Sequence, residues 1–178
     1  MKKKRFETFY KSSEDIPMVL DSYDDLFSDF DPRSYSERSL SWDFLRECKK
    51  ATSEKKGKIH LKFYVPKSKR KPINEIKIKK KLKDHFHKHF LRNKDEIGKI
   101  KSNGFAWLFV GAFVIIMTAI FGNNQGFWFN LLIALAHPAG WFFTWEGLGK
   151  LLITSKEKNP DFDFYKKMLN CVITFADY

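Results

Sequence analysis

The residues with the most evident capacity for chemistry sit in the least polar part of the chain. Asn130, His137 and Thr144 recur every seven residues within a stretch, Gly104 to Trp145, that contains no Lys, Arg, Asp or Glu. Seven residues return to nearly the same side of an α-helix, so the three side chains form one polar stripe. Polar groups in apolar surroundings are costly unless they face other helices or water. Two uses follow: the stripe glues the helix to a neighbour, or it lines an aqueous path, with Glu146 just beyond it as a fourth lining residue. His137 is the titratable group deep within the stretch, and an imidazole ordinarily changes charge near pH 6.5. Pro138 beside it removes a backbone donor and leaves the Ala134 carbonyl without its helical partner, which favours a kink.

Other constellations read less chemically. His85, His87 and His89 include two residues that share a helical face, yet zinc sites gather three or four converging ligands and both cysteines are remote in sequence. Solvated or interfacial histidines are the expectation, and no metal or other cofactor is expected. The run DSYDDLFSDFDPR lacks the central Gly and terminal Glu of a calcium loop. It reads instead as a capped turn around Asp31-Pro32, with Leu26, Phe27 and Phe30 docking into a core. No Arg is followed by a His four to six residues later, and no phosphate-binding glycine loop, nucleophile elbow or paired-cysteine site occurs. The chain is therefore expected not to be an enzyme. Phe63, Tyr64, Phe86 and Phe90 interleave with lysines, which leaves RNA as one ligand for the basic half.

The elements that must position these residues follow from the segregation of charge. Mean hydropathy is −0.43 over the chain, but 28 of the 33 Lys and Arg residues precede Asn103. Residues 104–121 form an uncharged run that spans about 27 Å as a helix, close to the thickness of a bilayer core. The polar pentapeptide 122–126 follows, and then a second apolar run over about 127–150. So short a connection joins antiparallel neighbours, giving a transmembrane helical hairpin. Trp107, Phe127, Trp128, Trp141 and Trp145 lie toward the span ends, where amphipathic rings favour the headgroup region. On the first span Gly104, Gly111 and Thr118 recur every seven residues, small enough for close helix packing.

Orientation follows from the flanking bases. Lys94, Lys99 and Lys101 precede the first span, Lys150, Lys156 and Lys158 follow the second, and the loop has none. The positive-inside rule puts both termini in the cytoplasm, at the inner membrane. MKKKRF at the N-terminus runs into polar residues rather than an apolar segment, so no cleaved signal is expected.

The expected domains are a basic cytoplasmic domain (1–101), the hairpin (102–154) and a C-terminal tail (155–178) that packs on the first domain. Acids from Glu14 to Asp31 number seven with no base, whereas Lys49 to Lys101 is strongly basic. Lys77, Lys79, Lys80, Lys81 and Lys83 are the densest part of that basic surface. SERSLSWDFLRECKKA reads as an amphipathic helix capped at Ser39 or Ser41. KIHLKFYVP alternates as a half-buried strand, the one convincing strand in the chain. INEIKIKKKLKDHFHKHFLRN reads as a helix with Ile78, Leu82, Phe86 and Phe90 in line. Phe164, Met168, Leu169 and Val172 form the apolar side of a C-terminal helix. The fold class is a mainly α membrane protein, the cytoplasmic part being α+β or mostly helical.

This layout resembles the small membrane accessory proteins encoded beside the RNA-guided RNA nuclease of type VI-B CRISPR systems. The likeness is one of length, Lys- and Phe-rich composition, a basic cytoplasmic region and apolar spans in the last half. DSYDDLFSDFDPRSYSERSLSWDFL is also similar to a run in small prokaryotic two-span membrane proteins. The resemblance implies an oligomeric inner-membrane pore that supports antiviral defence by depolarisation, acting after a CRISPR nuclease or its RNA. Two spans cannot enclose an aqueous path alone, so such a pore is a ring of copies among lipid. The other expectation is a membrane-anchored scaffold whose basic domain recruits a protein, an RNA or anionic lipid.

Overall fold

The structure, a computed structural model, describes residues 15–178 except 54, 56 and 123–125. The N-terminal MKKKRF, Glu14 of the acidic run and the centre of the interhelical loop lie outside the described residues. The chain is mainly α-helical with a small sheet. In order, its elements are β1 (Asp15–Val19), α1 (Trp42–Ser53), β2 (His60–Val65), α2 (Pro72–Phe121), α3 (Phe127–Gly149), a π-helical turn (Lys150–Thr154), the single turn α4 (Ser155–Glu157), α5 (Asn159–Leu169) and β3 (Val172–Asp177). Packing divides the chain into two compact units, one of residues up to Leu91 with Asp163–Tyr178, the other Arg92–Phe162.

The first unit is built on a three-stranded parallel sheet in the order β1-β2-β3. The sequence pattern points to one strand; β1 and β3 complete the ladder with partners distant in sequence. On β2 the period of two turns Leu61, Phe63 and Val65 to one face, where each is fully buried. Paired in register are Ile16 with Leu61 and Leu61 with Ile173. The cluster is closed by Phe44 and Cys48 of α1, Ile78, Leu82 and Phe86 of α2, and Phe164 and Met168 of α5. Those helical residues recur at intervals of four, the stripe that buries one side of a helix. Burying one such large side chain stabilises by about 1.5–3 kcal/mol relative to leaving it exposed.

The segment between β1 and α1 uses its acids locally. Ser22 and Asp25 form a capping box around the 3-10 turn Tyr23–Leu26, and Asp24 pairs with Arg38. Asp31 accepts from Arg33 and from the Ser39 amide, contacts that hold its carboxyl well below the usual carboxylate range. Phe27 bridges to Leu40. Leu26 and Phe27 enter the core as expected, but Phe30 does not: it is 98% exposed. The Asp31 amide bonds the Ser28 carbonyl, so Phe30 stands at the outer corner of a turn.

Two further expectations change. The helix expected after Pro72 does not stop before the apolar run: α2 is unbroken from Pro72 to Phe121. Gly98, the residue of lowest helix propensity in Lys94–Asn103, is absorbed within it. The C-terminal helix ends at Leu169, and Val172 opens β3 instead of continuing the helical face.

Candidate functional site

Two places combine chemical capacity with defined geometry, one in each unit. In the second unit, α2 and α3 meet along a seam of small residues. A Cβ on Gly111 would stand 2.5 Å from the Thr144 amide nitrogen and 2.7 Å from the Gly140 carbonyl oxygen. One on Gly147 would meet the Leu108 amide at 2.6 Å and the Gly104 carbonyl at 2.7 Å. Such distances admit no side chain, so the helices approach backbone to backbone. Gly104, Gly111 and Thr118, the small stripe legible in the sequence, are all buried; Gly104 meets Gly147, Gly111 meets Gly140, and Thr118 meets His137. Gly140 and Gly147 were not singled out, and their sequence signal is the same seven-residue interval.

The polar stripe of α3 divides. Thr144 packs against Gly111 and donates to the Gly140 carbonyl at 2.9 Å. His137 reaches across to Thr118, with Nδ1 3.2 Å from Oγ1. Thr118 has one hydroxyl hydrogen, directed to the Ile115 carbonyl at 2.8 Å, so toward His137 its oxygen accepts. That assigns the imidazole hydrogen to Nδ1. Asn130 is exposed on α3. Glu146 pairs with Lys150 one turn on, and the Lys150 ammonium lies 5.9 Å above the Trp107 ring. Pro138 lies inside α3, which continues on both sides of it.

The outer sides of both helices are apolar and bare, with Phe109, Phe113 and Ile120 of α2 and Trp128, Leu132 and Leu135 of α3 all exposed. The most apolar 18-residue window of α2 has mean hydropathy 2.3, and 17% of it is buried, far from the coverage of a soluble core helix. By length and composition α2 alone among the described helices qualifies as a span. Asn130, His137, Pro138 and the indoles of α3 lower its average.

In the first unit the five lysines do not share one surface. Lys81 donates to the Glu37 carbonyl at 3.0 Å, with the exposed Lys77 one turn before it on the same side of α2. Lys79, Lys80 and Lys83 instead border β3, around a cleft of about 540 Å³ with Asp84, Cys171 and Ile173. Lys79 Nζ lies 5.7 Å above the Phe175 ring. The aromatics proposed to stack bases are mostly internal: Phe63 and Phe86 are fully buried and Tyr64 nearly so. The period of these three serves the core, and Phe90 is half-buried.

The remaining candidates are structural. His85 and His89 have ring centroids 4.2 Å apart, and His89 stacks on Tyr165 at 5.0 Å. No group of three metal-ligating side chains occurs among the described residues. Cys48 and Cys171 are free and buried; desolvation pushes the Cys171 thiol up to about 11 and Cys48 higher. Tyr23, Arg70 and Glu75 lock the start of α2. Arg70 binds Glu75 through two nitrogens at 2.9 and 3.1 Å, and the Tyr23 hydroxyl donates to Glu75 at 2.9 Å.

Comparison with known proteins finds no matching family model, no matching curated relative and no matching solved structure.

Proposed function

We propose that this protein is a membrane-anchored adaptor: α2 and α3 cross the inner membrane as a hairpin, and the first unit presents a basic docking surface to the cytoplasm. One observation carries the two crossings. β2 and β3 pair directly, from His60 with Val172 to Val65 with Asp177, and both apolar helices lie between them in sequence. Strands joined by backbone hydrogen bonds occupy one compartment, so the intervening chain crosses a bilayer either twice or not at all. No crossing would leave the bare apolar side of α2 in water. Two crossings bury it in lipid and turn His137 and Thr144 inward, where polar groups are best tolerated. Lys94, Lys99 and Lys101 before the apolar part, with Lys150, Lys156 and Lys158 after it, favour a cytoplasmic first unit.

The experiment is membrane extraction combined with reporter fusion. The protein stays in the membrane through alkaline carbonate and is released by detergent, and a reporter after Tyr178 is active in the cytoplasm. Release by carbonate, or a periplasmic C-terminus, overturns this.

A ring-forming pore, implied by the CRISPR accessory proteins, has one observation in its favour. Asn130 is polar, exposed and surrounded by apolar residues on α3, and a ring of copies would remove it from lipid. Ion flux through liposomes holding the purified protein supports that assembly, and tight liposomes remove it.

A further inference from the structure

The two edges of the parallel sheet are treated differently. Leu20 donates to the Tyr64 carbonyl, so alternate β1 residues, Asp15, Pro17 and Val19, direct their backbone groups away from β2. Pro17 has no N–H to offer, and the Asp15 carbonyl is taken by Lys55 Nζ at 2.5 Å. These are the devices by which edge strands avoid pairing with another chain.

The β3 edge has neither. Val172 donates to the Ile59 carbonyl and Tyr178 to that of Val65, so the even-numbered residues face β2. The N–H and C=O groups of Ile173, Phe175 and Asp177 therefore point away from the sheet, and no further strand among the described residues pairs with them. Beside this edge stand Lys79, Lys80 and Lys83, with Asp84 as the acid of the group. None of the three lysines makes an ion pair among the described residues.

We propose that the β3 edge receives an extended, acidic segment of a partner protein as a fourth strand. Donors and acceptors alternating at roughly 6.6–6.8 Å along the edge match a peptide backbone. A phosphate chain would use the donors alone and meet the outward carbonyls of Ile173 and Phe175 with like polarity. The lysines add charge complementarity to carboxylates on the incoming strand. This deepens the adaptor function by naming the chemistry of what is recruited, but it rests on the first unit and not on the membrane.

The test uses the full chain in detergent micelles and a fluorescent decapeptide of alternating Val and Glu. Binding is expected at low ionic strength, weakened at least tenfold when alternate peptide nitrogens are methylated. Lys80→Glu with Lys83→Glu, both at exposed positions, is expected to weaken it at least tenfold while leaving the thermal transition in place. Lys67→Glu, on the loop before α2, is the fold-safe comparison and is expected to change binding less than twofold. No binding, equal binding of the methylated peptide, or equal or tighter binding of a decameric RNA would each overturn the proposal. Peptide binding by a protein that carbonate extracts would leave the inference standing and remove the membrane adaptor.

Discussion

Gly111 and Thr144 touch backbone to backbone: a Cβ on Gly111 would lie 2.5 Å from the Thr144 amide nitrogen. Besides the Thr144 hydroxyl the added carbon meets backbone, with the Gly140 carbonyl oxygen at 2.7 Å, so Gly111→Ala has to push α2 and α3 apart. The expected loss is about 1–3 kcal/mol, the usual cost of overpacking. Gly98 in the same helix has nothing within 4 Å of its added Cβ, and Gly98→Ala is expected to stabilise by about 0.5–1 kcal/mol through helix propensity. Unfolding in mixed micelles separates the two, and equal effects would contradict a tight seam.

The bond between Thr118 and His137 makes a second prediction. Thr118→Val keeps the shape but removes the acceptor for the His137 Nδ1 hydrogen. Bonds of this kind between membrane helices are worth about 0.6–1.7 kcal/mol. A double-mutant cycle with His137→Leu is expected to give a coupling of that size, and zero coupling would mean the two side chains act independently.

Glu75 gives the fold a dependence on acid. Its carboxyl is held below the ordinary 4.5, first by the Arg70 hydrogen bonds and also by Tyr23, against the opposing effect of burial. A carboxyl depressed on folding contributes stability that is fully present above its unfolded pKa and is lost as pH falls through its folded value. Glu75→Gln is therefore expected to destabilise at neutral pH by about 1–3 kcal/mol, leaving the guanidinium without its bidentate partner. The deficit relative to wild type should shrink as pH falls below 4.5. A deficit constant with pH would mean Glu75 acts by shape rather than charge.

Cys48 and Cys171 are buried with raised thiol pKa values, both chiefly through desolvation. A thiolate is the reactive form, so maleimide is expected to label neither in the native protein at pH 7 and both after denaturation. Rapid native labelling of Cys171 would mean that the β3 edge opens.

Much of this was legible from local pattern, and what was missed depends on distant partners. His60–Val65 alternates and is β2. The interval of Gly104, Gly111 and Thr118 marks a seam because small residues leave a recognisable gap at helical spacing. β1 carries Pro17 and only five residues, and β3 follows Phe164 and Met168 at the interval that continues a helix. Each becomes a strand only by pairing with β2, Asp15 with His60 and His60 with Val172, and a ladder between partners so far apart in sequence leaves no periodic trace. The lysines of α2 read as one basic run, yet Lys81 donates to the Glu37 carbonyl while Lys79, Lys80 and Lys83 border β3, a division set by the helix's neighbours.

The two-crossing hairpin is tested most directly by cysteine accessibility in intact spheroplasts. Single cysteines at Asn124, between α2 and α3, at Ser68, between β2 and α2, and at Tyr178 are probed with a membrane-impermeant maleimide; the buried native thiols give little background. The expected result is labelling of Asn124→Cys before lysis and of Ser68→Cys and Tyr178→Cys only after it. Labelling of Ser68→Cys and Tyr178→Cys on opposite sides, or of Asn124→Cys only after lysis, would contradict the account.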